Sequence, residues 1–270
     1  MNEPDEFRSL LAVFGAGYAM VAMFLAGRFM SVEEPAGSAH PNVTILKPLY
    51  LGEPGLSENL ESFFAQDYPG AVKIVVGVHD ENDPAIAVVE ALQARYPHLD
   101  TVIVADGALH GSNAKVSNLI NMLPSARHDI LVLSDSDITV SRHWLRHVTN
   151  ALAAPGVGLV TCLYTGEVVR GEGRLWPTLS AMGTSYDFLP NVVLSTSLGL
   201  AEPCMGSTIA LTRAMLDGLS IQPRDSVIEF APGLGVTARM TLQLQPATYT
   251  AVERDEIAAG KVRSFLRAPQ

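Results

Sequence analysis

Cysteine and tryptophan are scarce here, with two of each in 270 residues. Cys162 and Cys204 allow one disulfide at most, which excludes a disulfide-stapled scaffold and a cysteine-rich zinc module. Both read as reduced core residues. Basic residues are also few: 18 Lys and Arg stand against 28 Asp and Glu, a net charge of −10. A chain of that sign does not attract phosphate backbones broadly, so it argues against general nucleic-acid binding. Any phosphate ligand then needs a local site or a bound cation. Charged residues make up 17% and hydrophobic ones 48%, which excludes a disordered or collagen-like chain. No internal repeat and no low-complexity tract occurs. His143 and His147 lie four apart on one helix face but lack a third ligand, so they read as a surface pair.

What is present begins with Ser9–Gly27, 19 residues without a charge between Arg8 and Arg28. As a helix this reaches about 28 Å, close to the hydrocarbon thickness of a bilayer. Small residues along it (Gly15, Ala16, Gly17, Ala19) let membrane helices approach closely. Glu3, Asp5 and Glu6 precede it, where a cleaved signal peptide wants a basic start. The segment reads as one transmembrane anchor. Its flanking arginines balance, so they give no orientation. Glu33–Pro41 reads as a linker.

From Val43 the pattern alternates. Strands are expected at Val43–Leu46, Val72–Val78, Thr101–Val104, Ile130–Leu133 and Val157–Tyr164. Helices are expected at Ser57–Gln66, Pro84–Arg95, Asn113–Leu123 and Arg142–Ala153. Such alternation predicts an α/β fold with a mainly parallel sheet and flanking helices. Ligands of open α/β sheets bind at the carboxyl ends of strands, and the polar residues gather there. Asp80 and Asp83 follow Val72–Val78. Asp135 and Asp137 close Ile130–Leu133. If that segment is extended, residues two apart point the same way, and both carboxylates reach one hard cation such as Mg²⁺ or Mn²⁺. Such a cation lets an acidic protein hold a diphosphate and assists its departure. An Asp-x-Asp pair alone equally suits a solvated turn and helix cap. Phe63, Phe64, Trp176 and Phe188 read as core rather than as a groove for an apolar ligand.

The segments Val43–Pro69 (VTILKPLYLGEPGLSENLESFFAQDYP), Val75–Ile86 (VVGVHDENDPAI), Gly111–Leu119 (GSNAKVSNL), Ser134–Val140 (SDSDITV), Gly158–Gly166 (GLVTCLYTG) and Gly199–Arg213 (GLAEPCMGSTIALTR) carry a resemblance. In order and spacing, over about 43–216, they resemble the ceramide glucosyltransferase family, glycosyltransferases of the GT-A fold. Bacterial members that glycosylate hopanoid lipids look especially similar, which implies a bacterial inner membrane. The resemblance implies that Asp80 or Asp83 meets the uridine of a UDP-sugar. It places Lys47 and Lys115 near the nucleotide or diphosphate, and gives Asp135, with Asp137, a divalent metal. It sets Cys204 and Gly206 below the sugar and acceptor pocket, where plain packing is the alternative. The implied reaction moves a hexosyl or N-acetylhexosaminyl unit from a UDP-sugar to a lipid hydroxyl.

The family pattern continues with an acidic general base and a Gln-x-x-Arg-Trp motif, and neither follows Leu216. Asp217 and Asp225 stand in the wrong context for the base, so the catalytic residue stays unknown and transfer is expected to be impaired. Residues 222–270 resemble instead the start of a class I S-adenosylmethionine methyltransferase. There a strand within Asp225–Gly235 leads into the glycine turn Glu229-x-Ala231-x-Gly233-x-Gly235. A helix at Val236–Leu244, a strand at Thr248–Val252, the acidic Glu253 and a helix at Glu256–Leu266 follow. The resemblance gives Glu229, Gly233, Gly235 and Glu253 cofactor-binding roles. The expected organisation is an anchor over residues 1–30, a linker over 31–42, a C-terminally incomplete GT-A domain over 43–220, and a partial Rossmann-like methyltransferase fragment over 221–270, joined by fusion or deletion. Two other readings stand beside the glycosyltransferase: a non-catalytic UDP-binding remnant, and an S-adenosylmethionine-binding fragment.

Overall fold

The computed structural model describes residues 3–30, 40–110, 113–168, 175–200, 203–218, 226–230 and 248–252. They divide into two compact units. One comprises Met1–Pro41, Glu53–Pro69 and Leu133–Ala210; the other comprises Asn42–Gly52, Gly70–Val132 and Leu211–Gln270. Residues 31–39 of the expected linker, Gly111, Ser112, Gly233, Gly235, Glu253 and the expected helices Val236–Leu244 and Glu256–Leu266 lie outside the described residues.

The second unit is built on parallel strands. β1 (Val43–Pro48), β2 (Val72–Val78) and β3 (Asp100–Ala105) lie in the order β3-β2-β1, and the first residues of β4 (Ile130–Ser134) neighbour β1. β1 and β2 run parallel with Ile45 opposite Ile74, and β2 and β3 with Val75 opposite Val102. All six residues of β1 and six of the seven in β2 are buried. Such strands carry continuous apolar runs because both faces are covered. α3 (Ala85–Arg95) packs on β2 and β3, and α4 (Ala114–Met122) on β1 and β2. The buried Lys73 is neutralised by Asp100, whose carboxylate lies 3.2 Å from its ammonium. α8 (Arg213–Gly218) and the parallel pair β7 (Ser226–Phe230) and β8 (Thr248–Val252) complete this unit.

One contact sets how closely α4 approaches β2. A Cβ at Gly77 would stand 2.1 Å from Asn118 Oδ1 and 2.4 Å from Met122 Sδ. Asn118 and Met122 are both buried. The Asn118 amide donates to Gly77 O at 2.9 Å, so glycine here permits both the packing and the bond.

The first unit is mainly helical. It holds α1 (Glu3–Met30), α2 (Leu56–Phe64), α5 (Trp144–Leu152), α6 (Leu175–Met182), a π-helical turn (Gly183–Phe188) and α7 (Leu189–Ser197). Its strand residues come from the end of β4, from β6 (Thr208–Thr212) and from β5 (Leu159–Thr161), in the order β4-β6-β5. The segment after α2 is tied to the start of α5. Gln66 Oε1 accepts from Leu145 N–H at 2.9 Å, Arg146 donates to Asp67, and Phe63 meets Trp144 edge-on with centroids 5.3 Å apart.

Strand β2 and strand β8 fall where the pattern placed them, and the other expected elements that lie among the described residues match within a few residues. β5 is shorter than the expected Val157–Tyr164. α6, the π turn, α7 and β6 had no expectation, because Pro177, Gly183 and Pro190 interrupt Leu175–Ser197 and β6 is a short run flanked by threonines. Two expectations are corrected. Trp176 is 77% exposed, not core, while Phe63 and Phe64 are buried as expected. Cys204 is exposed and Cys162 only half-buried, both as free thiols, because Cys204 lies in the irregular segment before β6.

Replacing Gly77 by alanine forces Asn118 and Met122 to move within a filled core. We expect Gly77→Ala to lower stability by about 1–3 kcal/mol, read as a shift in the urea midpoint of the full chain in detergent without loss of secondary structure.

Candidate functional site

In the second unit the strand order reverses after β1, a topological switch of the kind where open α/β sheets bind ligands at carboxyl ends. The chain leaves β1 through Leu49 and reaches Leu51, whose φ of 60° lies in the left-handed region. A branched side chain holds that conformation only when the surroundings fix it. The fixing group is Asp83: its Oδ2 accepts from Leu51 N–H at 2.9 Å. Its Oδ1 accepts from Ala85 N–H, also at 2.9 Å, at the start of α3. Asp83 is 7% exposed, so both carboxylate oxygens are committed to backbone donors.

Asp80 differs. It is exposed, and its Oδ1 accepts from Asn82 N–H at 2.8 Å in a tight turn after β2. Of the two aspartates named for the uridine, Asp83 is a structural clamp and Asp80 is the one facing solvent. Lys115 is exposed in the first turn of α4, which Asn113 caps by accepting from Val116 N–H at 3.1 Å. Lys47 is fully buried within β1.

In the first unit β4 ends at Ser134, whose hydroxyl accepts from Thr208 at 3.3 Å. Asp135 N–H still donates to Ser207 O at 3.0 Å. The backbone then turns, with Ile138 N–H directed back to Asp135 O at 3.4 Å. Asp135–Ile138 is therefore a turn, and the expected extended run through Asp137 is corrected. The reason is that β-ladder pairing stops at Ser134. Asp135 is half-buried at the strand end, and Asp137 is exposed two residues on. Side-chain alternation no longer bears on whether they share a cation.

A further carboxylate escaped the sequence reading. Ser136, between the two aspartates, donates its hydroxyl to Glu53 Oε2 at 2.6 Å. That length is typical of a charge-assisted bond. Glu53 precedes α2, about 80 residues away in sequence, and no spacing rule links them. Asp135 and Asp137 carry oxygen donors of the kind a hard cation takes, while Glu53 is engaged by Ser136. Among the described residues no group of three or more His, Cys, Asp or Glu could hold a metal ion. The protein would supply one or two carboxylates, with the remaining positions left for water and substrate phosphate, as is usual for Mg²⁺-type sites. The residues present fit such a cation on those terms.

Asp217 lies in α8, and Asp225 lies outside the described residues. Cys204 and Gly206 are both exposed, and a Cβ at Gly206 would meet nothing within 4 Å. Close packing therefore does not explain that glycine. Glu229 falls within β7.

The helix that begins the chain contains Phe7–Phe29, long and apolar enough to cross a membrane. A model of the family described as glycosyl transferase family 21 matches residues 8–220. Ceramide glucosyltransferase from Komagataella phaffii is 38% identical over 114 residues, covering 41% of this chain and 22% of that protein. Ceramide glucosyltransferase 1 from Caenorhabditis elegans is 35% identical over 98 residues, covering 36% and 21%. The chain thus spans about a fifth of the length of the curated relatives it matches. Among solved structures, mannosyltransferase PcManGT from Pyrobaculum calidifontis, in complex with GDP-Man and Mn²⁺, superposes with a TM-score of 0.51 at 21% identity. That match covers 92% of this chain and 65% of the other. The fold is GT-A, with a mostly parallel sheet and flanking helices.

Two measurements follow from this geometry. Asp83→Ala leaves the Leu51 and Ala85 amides without their acceptor and is expected to cost about 1–3 kcal/mol in urea denaturation, whereas Asp80→Ala changes the midpoint little. Burial pushes the Cys162 thiol up, partly offset by its hydrogen bond with Trp144. At neutral pH a maleimide should therefore label Cys204 well before Cys162, with Cys162 labelling in a Cys204→Ser variant accelerating as pH rises.

Proposed function

The chain belongs to glycosyl transferase family 21, and from that premise we propose that it serves transfer of a hexosyl or N-acetylhexosaminyl unit from a UDP-sugar to the hydroxyl of a ceramide- or hopanoid-like lipid. The observation that carries this reading is the Ser-Asp-Ser-Asp turn at the carboxyl end of β4, in a chain whose first helix is apolar enough to cross a membrane. In this reading the helix is a single-pass anchor, with a bacterial inner membrane as its setting.

Asp135 is the principal metal ligand and Asp137 the second, and Ser136 held by Glu53 keeps their turn in one conformation. Mg²⁺ or Mn²⁺, when bound, supplies positive charge to the diphosphate of the donor. Asp80 accepts from the uracil, and Asp83 holds the backbone beside it. Lys115 adds charge for the diphosphate, while a part for Lys47 requires that its buried ammonium become accessible. No residue is assigned as the base that accepts the acceptor's proton.

A second reading is favoured by one observation, the parallel pairing of β7 with β8, Glu229 opposite Ala251. Parallel neighbours need a crossover connection, as the start of a Rossmann-like unit has. In it, residues 221–270 bind S-adenosylmethionine through Glu229, Gly233, Gly235 and Glu253.

Calorimetric titration of UDP into the full chain in detergent, with and without Mn²⁺, tests the first reading. Binding is expected to need Mn²⁺ and to be lost in Asp135→Asn. Glu53→Gln should weaken Mn²⁺ binding by about 10-fold through the loosened turn. UDP binding indifferent to Mn²⁺ and to Asp135, or no binding by folded protein, overturns it. S-adenosylmethionine binding that Gly233→Val abolishes would support the second.

A further inference from the structure

Leu175–Ser197 is helical throughout, from α6 through the π turn into α7, and Asp187 is its one charged residue. Its apolar side chains are not gathered inward. Trp176 and Tyr186 are each 77% exposed, and Leu175, Leu179 and Met182 also stand out. A contiguous exposed apolar surface marks an interaction site.

The same unit shows what lies alongside. α7 packs against α1. The Tyr18 hydroxyl donates to Asn191 Oδ1 in α7, and Tyr18 sits at the centre of the apolar span Phe7–Phe29. The Asn191 amide in turn donates to Asp187 O at 2.8 Å and to Asp187 Oδ1 at 3.2 Å. Side-chain hydrogen bonds of this kind join helices inside membranes, and an acidic group there needs polar partners. A segment beside the middle of a membrane span meets lipid on its other faces. Its helical backbone suits that, because intrahelical hydrogen bonds keep main-chain groups from facing hydrocarbon unpaired.

We propose that Leu175–Ser197 is a membrane-embedded element, joined to the anchor through Tyr18–Asn191, whose α6 and π-turn side chains contact lipid acyl chains. The inference rests on the reading of Phe7–Phe29 as a membrane span and on nothing assigned to the nucleotide. It gives the lipid acceptor a route to the protein. The loop after β5 is fastened to this element: Tyr164 packs against Phe188 with tilted rings, centroids 5.5 Å apart, and Gly166 N–H donates to Ser185 Oγ at 3.0 Å. A Cβ at Gly166 would stand 2.5 Å from Ala181 Cα, so the loop lies directly against the element's backbone. A lipid whose tail stays among acyl chains thereby presents its headgroup beside the end of β5.

Tryptophan fluorescence tests this in the full chain reconstituted into phosphatidylcholine vesicles. Trp144→Phe keeps an aromatic ring against Phe63 and leaves Trp176 as the sole tryptophan. Should that variant fail to fold, the difference between the parent chain and Trp176→Phe reports the same residue. Phosphatidylcholines brominated at shallow, middle or deep acyl positions should quench Trp176 strongly, and aqueous acrylamide should quench it weakly. Loss of bromolipid quenching with strong acrylamide quenching places Trp176 in water and overturns the proposal. Protection from both quenchers puts a protein surface over it, such as a second copy of the chain, and also overturns it. Phe14→Trp, in a chain lacking both native tryptophans, separates the two readings. If bromolipids quench Trp at residue 14 but not Trp176, only the embedded element fails; if they quench neither, the anchor reading fails with it.

Discussion

The buried carboxylate of Asp83 is the constraint on which the strand-end architecture of the second unit depends. One side chain satisfies Leu51 N–H and Ala85 N–H, both at 2.9 Å. It thereby joins the exit of β1 to the start of α3. Without that acceptor the left-handed Leu51 loses the hydrogen bond that fixes its backbone. Asp83 is thus committed to the backbone, while Asp80 and Glu81 after β2 face solvent. Gly77 and Asn118 act one layer below by setting the approach of α4 to β2.

The turn after β4 applies the same logic in the other unit. β4 loses its ladder at Ser134, and Asp135 keeps one sheet-like bond to Ser207 before the chain reverses. A reversal at a strand end is inexpensive for Ser and Asp, whose short polar side chains bond locally. Here the local bond is replaced by a distant one, Ser136 to Glu53. A turn held by a charged partner has fewer conformations open to it, which under the proposed metal role would preorganise Asp135 and Asp137.

The helical part of the first unit answers a different solvent. α1 buries little of its apolar surface, and α6 with the π turn adds more exposed apolar residues. In water that surface would be a liability. Beside a bilayer it is the matching surface. In the proposed membrane setting, polar contacts between Tyr18, Asn191 and Asp187 would hold helices together where the hydrophobic effect cannot.

By itself the sequence determined the alternation of strands and helices from Val43 to Leu152, the apolar span near the N-terminus, and the Asp-rich strand ends. Each follows from a local rule: period, length, or a polar group at the end of an apolar run. The family likeness was legible too, in motifs short enough to read in order. Tertiary structure decided the rest. Local spacing could not separate Asp80 from Asp83, because the difference lies in Leu51, brought in from the loop after β1. It could not find Glu53, whose partner Ser136 is about 80 residues away. It placed Trp176 in a core, because an aromatic residue in an apolar stretch looks the same whether protein or lipid covers it. It made Asp135 and Asp137 neighbours on an extended strand, whereas the end of β-ladder pairing at Ser134 turned the chain between them.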